Sequence, residues 1–405
     1  MANSLPTIDD ITLSALDVFE NNLVAARCCS KKLEGDFGST GGQIGDSIRI
    51  RKPAQFTVRT GQAWAGQDIQ EQTDTLTLDR QKGVDFSMSS KERKLDLNSL
   101  TEQVLKPAIV RLANEVDADI LEDVSKATFH AVGTPGTTPS TMQTYLDAGV
   151  KLTNNACPRG DGQRHLMVNA EMEADIAYAL RDYFHPGRKV SSTFDSGEID
   201  TYAAGFNWYM DQNVYTHTVG TYAGTPLVNG ASQTGSSLIT DGWSSGASNL
   251  TVGDRFTVAG VFAVNPVTKA TLGSLQQFVV TTAVSDSTGD MTISISPSIV
   301  GPGERFQNVS ALAADGAAIT VFGTTGNVYS QGVAFNSEAV ALAIVPLEKP
   351  KGVNQASMKY DQQSGVGLRY IEWYDGDADI WKSRFDVLYG IQTQRPEWSV
   401  AIAAA

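Results

Sequence analysis

Residues 219–303 carry six charged side chains in 85 positions (Asp241, Asp254, Arg255, Lys269, Asp286 and Asp290), whereas residues 1–130 carry 35. The same 85 positions hold 12 Gly, 12 Ser and 12 Thr. A shift of this size marks a module boundary on either side, so the chain folds as more than one unit. Inside the charge-poor stretch, Asn249–Val252, Arg255–Val258, Gln277–Val280 and Met291–Ile295 read as short strands. Gly253-Asp254, Ala259-Gly260 and Gly289-Asp290 supply the turns. Closely spaced strands with glycine-containing turns indicate a small β-barrel or sandwich. The chain contains no internal repeat.

The remaining composition bounds the answer. At ~150 residues per domain, 405 residues allow two or three domains and a sizeable core. Hydrophobic residues are 41 % and charged residues 19 %, which is globular text rather than disordered. With 31 Lys+Arg against 45 Asp+Glu the formal net charge is −14. Such a chain repels phosphate and is no general nucleic-acid binder. No apolar run approaches the ~20 residues of a membrane span. The first ten residues lack a basic n-region and an apolar h-region, so no secretory leader is expected. Three cysteines, Cys28, Cys29 and Cys157, make no disulfide framework, and a reducing compartment is expected.

Outside the charge-poor stretch the patterns alternate between helix and strand. Thr7–Asp10 is a capping-box variant ahead of a helical stripe at Ile8, Ile11, Leu16, Phe19, Leu23 and Val24. Gly35–Gly45 is a glycine-rich break. From Ser47 to Ser89 the period becomes two, at 47–51, 55–59, 75–79 and 84–88, which reads as half-solvated antiparallel strands. The polar connection Thr60–Thr73 contains Trp64. A long two-stranded excursion of this kind buries little and needs a partner surface. The clearest helix follows: Ser99–Glu102 is a capping box, and Pro107 either kinks the helix or opens a second one. Ile109, Leu112, Ala113, Val116, Ile120, Leu121, Val124 and Ala127 form its apolar stripe. From Pro107 to His130 it extends ~36 Å at 1.5 Å per residue. Its other face, Glu115, Asp117, Asp119, Glu122 and Asp123, is acidic. A helix from Ser140 to Leu152, a strand Arg164–Val168 and a helix from Asn169 to Tyr183 come next. Ala339–Val345 and Arg384–Ile391 read as buried strands. The sum is an α+β body with a β module inserted.

No reactive constellation emerges. His130, His165, His185 and His217 show no paired spacing, and Cys157 with His165 supplies only two ligands. Gly38–Gly45 lacks the Gly-Lys-Ser/Thr ending of a phosphate loop and precedes a strand, so it reads as a loop or hinge. Asp375, Asp377 and Asp379 hint at calcium, but Ile380 stands at the sixth position and Asp386 at the twelfth, which favours a polar turn. No Gly-x-Ser-x-Gly elbow is present. The strongest positive feature is the basic cluster Arg49, Arg51, Lys52 and Arg59, either one solvated strand face or an ion-pairing surface for acidic partners such as the long helix. The chain is not expected to be an enzyme.

Arg111–Val116, Ala204–Phe206, Val252–Val261, Leu388–Ile391 and Arg395–Glu397, taken in this order, resemble the tailed-bacteriophage major capsid proteins of the Hong Kong 97 fold. The branch they resemble most is the short-tailed Salmonella phage coat type, which carries an inserted β-barrel. The segment Tyr222–Ser248 departs from that pattern. The resemblance implies an N-terminal arm at 1–46, an extended loop at 47–94, and the spine helix and peripheral domain at 95–200. The axial domain would occupy 201–218 and 327–405, and the inserted barrel 219–326. It implies self-assembly into hexamers and pentamers of an icosahedral virion shell around double-stranded DNA, held without sequence-specific contact. It further implies a scaffolding protein, a portal, assembly in the host bacterial cytoplasm and expansion on packaging, with no cofactor and no membrane. Hinges near Gly35–Gly45 and Pro107 are expected to absorb that expansion. Arg49, Arg51, Lys52, Phe56, Arg59 and Trp64 are the expected intersubunit contacts, since aromatics and Arg favour such surfaces. Asp241 and Trp243, read as an exposed loop tip of the insertion, are a further candidate pair. The alternative is a β-rich tail, decoration or surface-binding protein.

Overall fold

The computed structural model describes residues 8–32, 47–52, 56, 60–64, 66–69, 71–91, 104–159, 162–180, 202–246, 248–286, 288–353, 355–361 and 365–405. The glycine-rich break at 35–45, the capping box at 99–102, His185 and Arg59 lie outside them. The chain divides into two compact units. One comprises Met1–Ile50, Thr73–Ile120 and Val340–Gln392; the other comprises Arg51–Gln72, Leu121–Ala339 and Thr393–Ala405.

In the first unit, Ile380–Thr393 is the central strand of a five-stranded sheet. Val366–Asp375 pairs with it antiparallel, and Gln355–Asp361 continues outward. Val340–Val345, apolar throughout, is a buried neighbour of the same strand. The N-terminal helix Ile8–Asn22 packs on the two outer strands and buries Ala15, Leu16 and Phe19. The excursion differs from expectation. Ser47–Arg51 pairs with Thr73–Thr77 as a two-stranded ribbon, but Arg80–Ser89 leaves it and lies antiparallel along Ile380–Tyr389. Period-two text fixes which face is wet and leaves the pairing partner open. The ribbon is not free-standing either: Ile50 and Leu76 are buried with Ala341 and Ala343, a small core of its own.

The spine helix is Lys106–Ala127. Pro107 is the second residue of this element, where a missing N–H costs little. Its acidic face is largely used within the unit. Asp117 is buried and accepts from Val24 N at 2.6 Å and Ala26 N at 3.0 Å, capping the short helix Ala25–Cys28. Lys82 reaches Glu115 at 3.1 Å and Asp119 at 3.2 Å, and Tyr389 donates to Asp119.

In the second unit the central strand is Val328–Asn336. It pairs antiparallel with Ser399–Ala403 on one side and with Arg164–Val168 on the other. Arg164–Val168 runs parallel to Phe206–Met210. Helices Met142–Asn154 and Ala170–Leu180 complete this layer. Thr216–Thr218 pairs with the start of the central strand, and the chain departs into the insertion between these two strands. The insertion's main sheet has six strands in the order Ile319–Val321, Arg255–Val264, Thr271–Val280, Met291–Ile299, Gly235–Trp243 and Gly224–Val228, with Asn249–Leu250 and Val284–Ser285 as a separate pair. Val228 N donates to Ala317 O at 2.9 Å and Leu227 bridges Ala318, so first and last strands meet and the barrel closes. Alternate residues Phe256, Val258, Phe278, Val280, Met291, Ile293 and Ile295 fill it. Ala259-Gly260 is no turn: the strand runs on to Val264 through a register shift between Thr257 and Phe262.

Candidate functional site

Among the described residues, the connection Arg51–Gln72 exposes three large apolar side chains. Trp64 is 89 % exposed, Ile69 70 % and Phe56 64 %. Lys52 N donates to Gln72 O at 2.8 Å at its root, and Arg51 faces Glu71 at 3.6 Å. Both side chains of that pair are well solvated, so it orients more than it stabilises. Farther out, Arg305 of the insertion donates to Asp68 O. Trp64 lies over its own loop: a Cβ added at Gly66 would stand 2.6 Å from the indole Cη2, so a side chain there would displace the ring from this position. Of the basic cluster, Arg49 and Arg51 are exposed and Lys52 is half-buried.

Asp241 and Trp243 do not form a tip. Both belong to the barrel strand Gly235–Trp243, where Asp241 opposes Leu227. Trp243 is buried in the barrel core, its Nε1 donating to Thr240 Oγ1 at 2.8 Å and its ring meeting Tyr222 edge-on. The Asp-Gly pair that reads as a turn is instead an irregularity within the strand, with Gly242 at φ +73°.

The barrel is keyed into its unit by groups that composition alone conceals. Arg255 is 1 % exposed and donates Nε to Thr128 O at 2.8 Å, Nη2 to Ser125 O at 2.6 Å and Nη1 to Gln331 Oε1 at 3.0 Å. Two of these acceptors are carbonyls at the end of the spine helix, which otherwise lack partners and carry partial negative charge. Asp254, equally buried, accepts from His217 Nε2 at 2.8 Å and from Thr251 N and Gly220 N. Gln277 bonds both the N–H and the carbonyl of Ala131. His130 is buried with its Nε2 2.8 Å from Asn155 Nδ2; burial first, then Lys151, pushes its pKa down to about 3, so the ring is neutral.

The other sequence candidates take structural places. His165 bonds Ser337, and Cys28, Cys29 and Cys157 are buried thiols outside any disulfide. Asp375 holds Lys382 at 2.7 Å, and Asp379 accepts from Ser90 and Tyr374 in a polar turn between strands. Among the described residues no group of three or more acidic, His or Cys side chains is placed to hold a metal ion, and no helix is long and apolar enough to cross a membrane.

The exposed aromatic loop Arg51–Gln72 is thus braced by the inserted barrel, which is itself tied by Arg255 to carbonyls at the end of the spine helix. The model of the P22 coat protein family (gene protein 5) matches residues 1–402, and the chain belongs to that family. It is a phage major capsid protein of α+β fold, not an enzyme, and it works in the virion as a shell of many copies of itself. Among solved structures, one of Mycobacterium phage Che8 is 16 % identical over 94 % of this chain and 90 % of that one, with a TM-score of 0.45. The capsid of Ralstonia phage GP4 is 9 % identical over 94 % and 88 %, with a TM-score of 0.46. The CUS-3 coat protein I-domain is 31 % identical, covering 24 % of this chain and 94 % of that one, with a TM-score of 0.20. No curated protein gives a significant match.

Proposed function

We propose that the chain assembles as hexamers and pentamers of an icosahedral shell that encloses double-stranded DNA. Assembly proceeds in the host cytoplasm as a procapsid, around a scaffolding protein and with a portal at one vertex, and the shell expands as DNA is packaged. Residues 1–46 act as the arm, 47–94 as the extended loop, 95–200 as spine and peripheral domain, 201–218 with 327–405 as axial domain, and 219–326 as inserted barrel. The observation that carries the reading is the Arg51–Gln72 loop, whose Phe56, Trp64 and Ile69 stand in water on a single chain. Apolar surface of this kind belongs under a neighbouring copy, where Trp and Arg concentrate interface energy. Arg49, Arg51, Lys52, Phe56, Arg59 and Trp64 are the proposed contacts, with Asp241 beside them; burial of Trp243 removes it. A net charge of −14 suits a lining along which DNA slides without sticking. Electron microscopy of the purified chain, with and without scaffolding protein, tests the reading. Closed shells are expected, and discrete monomers or trimers under both conditions would sink it.

A further inference from the structure

A cavity of about 280 Å³ lies where the root of the Arg51–Gln72 loop, the barrel and the C-terminal turn Pro396–Trp398 meet, and polar side chains make up most of its wall. Small-molecule sites run to ~300–1,000 Å³, so this one has room for a single ring and not for a chain. Lys52 and Glu397 are the charged residues of the wall, one of each sign, so the wall as a whole selects neither an anion nor a cation.

The amides of the wall are one-sided in what they offer. Asn155 spends both amide hydrogens, on His130 Nε2 at 2.8 Å and on Lys151 O at 2.9 Å, so its Oδ1 is the end left to bond. Gln276, only 4 % exposed, donates Nε2 to Gln277 O at 2.8 Å, and Gln307 donates Nε2 to Val309 O at 3.1 Å. Among the described residues no donor reaches any of these three side-chain oxygens. An amide oxygen without a donor is costly in a mostly buried site, and a ligand that supplies one recovers that cost. Ser296 adds a hydroxyl that donates or accepts, while Phe129 and Phe306 add apolar surface. Several acceptors, balanced charge and room for one ring select a neutral, compact ligand with several hydroxyl groups. A pyranose has that form, with O–H donors around its edge and C–H groups on its faces.

We propose that this cavity binds one monosaccharide unit, with Asn155 Oδ1, Gln276 Oε1 and Gln307 Oε1 accepting from its hydroxyls. A cation would share the wall with Lys52, and a carboxylate or phosphate would face carbonyl oxygens, so neither competes on equal terms. Every residue of the wall comes from the same chain, so the site stands or falls independently of how copies assemble.

The test is saturation-transfer NMR on the unassembled full chain, with free glucose, galactose, mannose and N-acetylglucosamine as probes and agmatine as a cationic control. Transfer to at least one of the sugars is expected, at the millimolar affinity that a few hydrogen bonds in a small site provide. Gln276→Met keeps the length of the side chain and removes the acceptor. It should weaken that sugar about tenfold, the worth of one hydrogen bond. Ser298 lines the cavity and is exposed, so Ser298→Trp should fill it and abolish transfer with the melting temperature unchanged, which separates a blocked site from an unfolded chain. No transfer to any of the sugars would overturn the site, as would transfer that survives intact in Ser298→Trp. Transfer to agmatine alone would make it a cation site and overturn the sugar assignment. Retention of the chain on beads bearing the same sugar through its anomeric oxygen would assign a terminal glycan unit, and binding of the free sugar alone a soluble one; both support the site.

Discussion

Arg255 is the largest fully buried side chain among the described residues, and its position follows from the strand it sits on. Phe256 and Val258 point into the barrel, so Arg255 points outward, and it is buried because the rest of its unit covers that face. Burial disfavours the charged guanidinium and lowers its pKa, and the cost is offset by three acceptors matched to its fork. A lysine offers one point charge to the same three oxygens. Arg255→Lys should lower unfolding free energy by about 2 kcal/mol and Arg255→Ala by about 4, measured by denaturant titration of the unassembled chain. His130 makes a pH prediction. Its folded pKa of about 3 lies below the ordinary 6.5, so between those values the unfolded chain binds the extra proton. Stability therefore falls as pH drops below 6.5, by up to about 1.4 kcal/mol per pH unit from this group. His130→Gln should flatten the change in denaturation midpoint between pH 7 and pH 5; an unchanged slope would show that another group carries it.

At the scale of elements, what the sequence reveals depends on whether a pattern is local. The spine helix, the strand Arg164–Val168 and the helix Met142–Asn154 lie within two or three residues of where periodicity places them. Pairing partners are not local. Nothing in the alternation of residues 84–88 distinguishes a return strand of the loop from the edge of a sheet whose next strand is some 300 residues away, and the structure chooses the latter. Trp243 fails for a related reason: Asp-Gly marks a turn only when both flanking strands end there, and a glycine with φ +73° serves equally as a kink inside one strand. Of the loop, sequence shows the aromatic and basic residues but not the brace, since Arg305 reaches Asp68 O from 237 residues away. Close packing also leaves a mark that sequence shows only as one more glycine. A Cβ on Gly390 would stand 2.1 Å from Thr77 O, a backbone atom with no rotamer in which to yield. Gly390→Ala should cost at least about 2 kcal/mol, visible as a loss of several degrees in melting temperature, whereas substitution at Gly136, where nothing lies near, meets only the strain of its positive φ.

For the whole molecule, two electrostatic effects of opposite sign act on assembly. Each copy carries a net charge of −14, so copies repel over the Debye length, about 30 Å at 0.01 M salt and 8 Å at 0.15 M. The dense charge of residues 1–130 supplies less intersubunit attraction than its number implies, because much of it is matched at home: Lys82 with Glu115 and Asp119, Arg80 with Asp119, and Arg384 of the neighbouring strand with Asp85 at 2.6 Å. Arg49, and Arg51 in its loose, solvated pair with Glu71, lie at the loop root as exposed cations on an acidic particle. Local attraction of that kind acts over a few ångströms and outlasts long-range repulsion as salt rises. Assembly followed by light scattering should therefore speed up from 0.01 to 0.15 M salt as repulsion is screened. Joint reversal, Arg49→Glu with Arg51→Glu, deepens the net charge and removes the attraction together. Its assembly should be slower at every ionic strength, with the deficit shrinking toward 1 M, where the Debye length is about 3 Å. Because both side chains are solvated in the single chain, its melting temperature should stay within about 2 °C of the parent. A variant that melts early would place these arginines in the fold; one that assembles at the parent rate in low salt would remove them from the interface.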